Sequence, residues 1–173
     1  MRQAFKLAVG ASLLSLLSSC ATTPPDGPSA TAVVRPASGS QAHGTVKFTQ
    51  VGTRVRVDAE IAALSPGMHG MHVHEKGDCT APDAASAGPH FNPATKKHGG
   101  PSGAERHAGD LGNLEANEYG KATVTVMVEG ISVSNGADGV IGRGIIVHAD
   151  PDDLKTYPSG NSGGRIGCGT IES

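Results

Sequence analysis

At 173 residues with 37% hydrophobic content, the chain has room for one domain and not for several. Aromatic residues make up only 3%, tryptophan is absent and glycines number 25, which excludes a core of large rings and leaves small and β-branched side chains to fill it. The formal net charge of −2 excludes the basic surface that nucleic-acid binding needs.

The first element, Met1 to Cys20, carries Arg2 and Lys6, then an apolar stretch from Leu7 to Leu17, then Ser18-Ser19-Cys20. It reads as an export signal over residues 1–19, its apolar part too short to span a bilayer. Leu17-Ser18-Ser19-Cys20 resembles a bacterial lipobox, which makes Cys20 the lipidated first residue of a periplasmic, membrane-anchored protein. Residues 20–41 are rich in Pro, Ser, Thr and Ala and read as a flexible tether, with a single domain over 42–173. Short alternating runs follow at Gly44–Thr49, Arg54–Ile61, Gly70–His74, Ala122–Val128 and Val140–His148, separated by turn residues. They predict an all-β, antiparallel sandwich or flattened barrel with long loops. The one candidate for a helical turn is Pro151–Leu154.

Six of the eight histidines, with one aspartate, are spaced as metal ligands. His72 and His74 are two apart on a predicted strand, so both imidazoles share a face. His90, His98, His107 and Asp110 fall in a Gly- and Pro-rich loop, and His148 ends the buried run Ile145-Ile146-Val147. Seven ligands are too many for one tetrahedral ion. Imidazoles plus a carboxylate suit zinc, and four nitrogens suit Cu(II). His98, His107 and Asp110 are therefore expected around zinc and His72, His74 and His148 around copper, with His90 bridging them through its two ring nitrogens. His69, three before His72, faces the other way and reads as structural; His43 reads as a surface histidine.

The segments HVHEKGDC, GPHFNPATKKHGG, ERHAGDLGN, IGRGIIVHAD and GGRIGCG resemble those of the copper/zinc superoxide dismutases over residues 43–172. The resemblance implies an eight-stranded Greek-key barrel and one copper and one zinc per subunit. It implies dismutation of superoxide to dioxygen and hydrogen peroxide; a homodimer stands beside a single subunit as an open alternative. It carries the family's anion-guiding arginine onto Arg165, so His90 and Arg165 are the expected catalytic pair. Asp152 is expected to hydrogen-bond one copper and one zinc histidine, with Asp153 as competitor. Arg143 matches a position that packs structurally and is left out of the site. Three cysteines are an odd count for an exported protein; with Cys20 on lipid, Cys79 and Cys168 pair. Cys79 enters its loop earlier than in eukaryotic members, as in bacterial relatives. The stretch between His148 and Arg165 has Lys155 as its only basic residue, so the charged guidance loop is trimmed.

The main rival is a non-catalytic periplasmic copper/zinc-binding protein, for which neither Arg165 nor a bridge is needed. A zinc hydrolase fits less well because a closed four-coordinate site leaves no water position. A copper-only relative is excluded by the complete zinc set.

Overall fold

The computed structural model describes residues 26–173; the expected leader and Cys20 lie outside the described residues. Eight strands follow one another: β1 (Asp26–Pro36), β2 (His43–Val51), β3 (Arg54–Ala62), β4 (Gly67–His74), β5 (Asp110–Ala116), β6 (Ala122–Val128), β7 (Gly144–His148) and β8 (Arg165–Glu172). All pairings are antiparallel, in the order β5-β4-β7-β8-β1-β2-β3-β6, and the two edge strands approach each other, leaving the barrel nearly closed. The β3–β6 and β4–β7 pairings skip sequence neighbours, as Greek-key connections do.

Alternation builds the wall. On β3, Val55, Val57, Ala59 and Ile61 are buried while Arg54 and Glu60 are exposed. Inside, Phe48, Met71, Leu114, Ile145 and Ile171 pack with valines and alanines, as expected of a chain poor in aromatics.

The tether reading of residues 20–41 is corrected from Asp26 onward. Ala30, Ala32 and Val34 of β1 point into the core, and the strand is paired on both sides, Ala32 with Val46 of β2 and with Ile171 of β8. Two ladders and three small buried side chains supply what the Pro/Ser/Thr composition masks, so residues 26–41 belong to the folded domain. Three other points change. β7 starts at Gly144 rather than Val140, because Gly142 turns the chain at φ 81°. Pro151–Leu154 is not helical, and the short 3-10 turn is Ala85–Ala87. β5 had no clear signal in the sequence, since Gly112, at φ 85°, and Asn113 interrupt its alternation.

The outer face of β4 and β7 positions the site. Met71 and Val73 enter the core, so Gly70, His72 and His74 project outward, beneath the loops 75–109 and 149–164. A second apolar cluster, Ala37, Ala84, Ala87, Ile146 and Cys168, seats the first of these loops. The expected Cys79–Cys168 bond is formed, with 5.8 Å between its Cα atoms.

Candidate metal centre

The structure brings all seven predicted ligands together in two buried groups that share His90. His72, His74, His90 and His148 form one group and His90, His98, His107 and Asp110 the other, with ligand atoms in each within 4.8 Å of one another. The His90 ring lies between them, its centroid 3.9 Å from that of His72 and 5.5 Å from that of His98. Its Nδ1 is 2.9 Å from Asp110 Oδ1, on the second group's side.

Five ring nitrogens fit metal ions and little else. His72 Nδ1, His74 Nε2, His90 Nε2, His98 Nδ1 and His148 Nε2 are buried without a hydrogen-bond partner. Native interiors rarely leave buried polar atoms unpaired, and five in one place point to cations that their lone pairs satisfy. The opposite nitrogen of each ring is held, fixing which one faces inward. His72 Nε2 donates to Asp152 Oδ2 and His98 Nε2 to Asp152 Oδ1, both at 2.8 Å. His74 Nδ1 donates to the Gly88 carbonyl at 2.8 Å, and His148 Nδ1 to the Gly163 carbonyl at 3.3 Å. Asp110 Oδ2 accepts the backbone N–H groups of Gly99 and His107, at 3.1 and 2.8 Å, leaving Oδ1 to the cluster.

Asp152, rather than Asp153, is the residue that links the two groups. Asp153 is exposed and closes its own loop through Thr156 and Asn161. His69 is structural as expected, its Nδ1 donating to the His148 carbonyl at 2.8 Å. His43 is exposed.

Five holding residues escaped the sequence reading. The Asn113 side chain clasps the Asp152 backbone from both sides, donating to its carbonyl at 2.9 Å and accepting its N–H at 2.7 Å. Gly160, at φ 65°, leaves the space Asp152 needs: a Cβ there would lie 1.8 Å from Asp152 Oδ1. Arg106 is buried and braces the second group's loop through the carbonyls of His107, Ala108 and Glu129. The Gly88 carbonyl, already bonded to His74, also accepts Arg165 Nη2 at 2.8 Å, while Arg165 Nη1 donates to the Ala84 carbonyl at 2.7 Å. No local sequence signature marks any of them.

A cleft of about 650 Å³ opens over the first group, lined among others by His74, His148, Arg165, Tyr157 and Arg143. Arg143 also borders this cleft, and its contacts are those of a packing residue. It lies 3.5 Å over the Phe91 ring, and its guanidinium donates to the Gly139 and Glu75 carbonyls.

Burial pushes His72 down to about 4 and His148 to about 3, and holds His74 well below its ordinary value, so all three imidazoles are neutral at pH 7. His98 moves the other way. Burial lowers it, but the carboxylates of Asp110 and Asp152 on its two sides outweigh burial and hold it at about 9. Burial would raise Asp110, but the His90 hydrogen bond and the His98 ring, whose Nδ1 lies 3.2 Å from Asp110 Oδ1, hold it well below the carboxylate range. Zinc needs a neutral His98, so its binding at pH 7.5 should expel about one proton, and apparent affinity should climb with pH until about 9. Titration calorimetry in two buffers of different ionisation heat measures this. No proton release would overturn the assignment of His98 as a ligand that binds in competition with its proton.

Two buried ligand sets sharing one imidazole, on the outer wall of a nearly closed antiparallel barrel, define a protein built to hold two adjacent metal ions beneath a cleft lined by two arginines. A family model described as copper/zinc superoxide dismutase (SODC) matches residues 42–171. The chain belongs to that family: it is an oxidoreductase, its metals are copper and zinc, and its substrate is superoxide. The non-catalytic metal carrier is not favoured.

Proposed function

We propose that this chain dismutates superoxide with copper held by His72, His74, His90 and His148, and zinc by His90, His98, His107 and Asp110. One observation carries the assignment: His90 offers an unpaired Nε2 toward the first set while its Nδ1 stands against Asp110 in the second. Copper supplies reversible one-electron exchange, and zinc supplies a fixed, redox-silent charge. The chain supplies proton storage and substrate guidance. With copper bound, His90 Nε2 would take up a proton from water on reduction and return it to the departing peroxide, whose second proton comes from solvent, so the formal charge of the centre would stay constant. Asp152 fixes the His72 and His98 rings while this happens.

Arg165 guides the anion. Its guanidinium is anchored by two carbonyls and is only partly buried, so its remaining N–H groups serve the cleft. Arg165→Glu should lower the catalytic rate constant at low salt by at least about tenfold, or about 1.4 kcal/mol, with metal content intact. Stopped-flow superoxide decay measures it; an unchanged rate removes the guidance role. Metal analysis alongside decay, with copper withdrawn and restored, tests the whole assignment. Fast, copper-dependent decay at equimolar copper and zinc is expected.

The proposal includes a periplasmic location with Cys20 lipidated, supported by the leader and Leu17-Ser18-Ser19-Cys20. It also includes a homodimer, supported by the family alone. Mass spectrometry of the mature terminus and sedimentation equilibrium test these two parts; an unmodified terminus or a single-chain mass overturns the corresponding part.

A further inference from the structure

The start of β1 lies only six positions after Cys20, at Asp26. Six residues span at most about 20 Å when fully extended, which is less than the diameter of a domain this size. A lipid on Cys20 therefore leaves the barrel little freedom to turn over. The register says which end is held down. Asp26 pairs with Val51, beside the β2–β3 turn, whereas Pro36 at the far end of β1 pairs with Gly167 of β8. Just past Pro36, the Ala37 N–H donates to the Ile166 carbonyl and the Ser38 hydroxyl to the Arg165 carbonyl. Arg165 in turn pairs with His148, the last copper-set ligand. The ten steps of β1 thus separate the anchored end from the Arg165 rim of the cleft by about 30 Å along the strand, while the loop carrying Ala137, on the opposite rim, reaches back to Gln50 through Val133.

We propose that the barrel stands on a phospholipid surface on its β2–β3 turn, with the cleft opening sideways and its Arg165 rim farthest from the bilayer. This rests on the lipid-anchor reading above. The chemistry of the lower end suits headgroups rather than hydrocarbon, because Gly52, Thr53 and Arg54 are all exposed there and none is a large apolar residue. Superoxide and metals then reach the centre from the aqueous side, unobstructed by the membrane's own negative charge.

The test uses the lipidated full-length protein in phosphatidylethanolamine/phosphatidylglycerol vesicles. A fluorescent donor is placed through a genetically encoded keto amino acid at Thr53 or at Ala85, which is exposed beside Arg165's acceptor Ala84. Acceptor lipids should quench the Thr53 probe roughly threefold more than the Ala85 probe, given the ~30 Å offset. Inserting twenty Gly/Ser residues between Pro25 and Asp26 should abolish the difference while leaving dismutation unchanged. Equal or reversed quenching on a terminus that mass spectrometry shows to be lipidated overturns the orientation alone. An unmodified terminus with neither probe quenched overturns the anchor and the orientation with it.

Discussion

His90→Ala should cost at least about a hundredfold in dismutation rate, since even removing a partner that merely orients a metal ligand typically costs ten- to a hundredfold. His90 is the only residue common to both ligand groups. Its loss leaves each set with three protein ligands and removes the atom that holds the proton between the two half-reactions. The effect should extend beyond rate: the electron paramagnetic spectrum of Cu(II) should change, because one of four nitrogens is gone. The disulfide and the barrel are untouched, so thermal unfolding of the metal-free variant should stay close to that of the parent. A Cu(II) spectrum identical to the parent's would sink the bridge.

Replacing both Cys79 and Cys168 with serine should have the largest effect on stability. The bond closes a loop with a sequence separation of 89, for which the chain-entropy account gives about 4 to 5 kcal/mol. For a domain of this size that lowers the melting temperature by about 15 °C. The bond also secures the loop whose Ala84 and Gly88 carbonyls orient Arg165 and whose Gly88 carbonyl holds His74. Below its new melting point the variant should therefore show a reduced rate at low salt, in the same direction as Arg165→Glu. Calorimetry and stopped-flow decay read the two effects separately. A melting temperature within 3 °C or so of the parent would contradict the loop-closure account.

The metal ligands were legible in the sequence because their chemistry is unusual and their spacing is local. His72 and His74 share a face by strand alternation, and His148 closes an apolar run. What held those ligands was not legible. Asn113 reaches Asp152 across 39 positions, and the Gly88 and Ala84 carbonyls are backbone atoms that no side-chain pattern reports. β1 was misread for a different reason. Its inward residues Ala30, Ala32 and Val34 do alternate with Thr31, Val33 and Arg35, but alanine and threonine give weak contrast, and the neighbouring prolines suggest a linker. Partners at a distance decide its state: β2 on one side and β8 on the other.

That pairing joins the two extremes of the polypeptide. A chain delivered amino-terminus first presents β1 long before β8 exists, so β1 can zip onto β2 early while its other edge stays open. Wall closure and cystine formation both wait for the final segment, and such remote pairing is slow. A ribosome-stalled or C-terminally clipped product would thus expose a sticky strand edge and an unpaired Cys79 thiol, making it prone to aggregation and easily recognised by quality-control proteases.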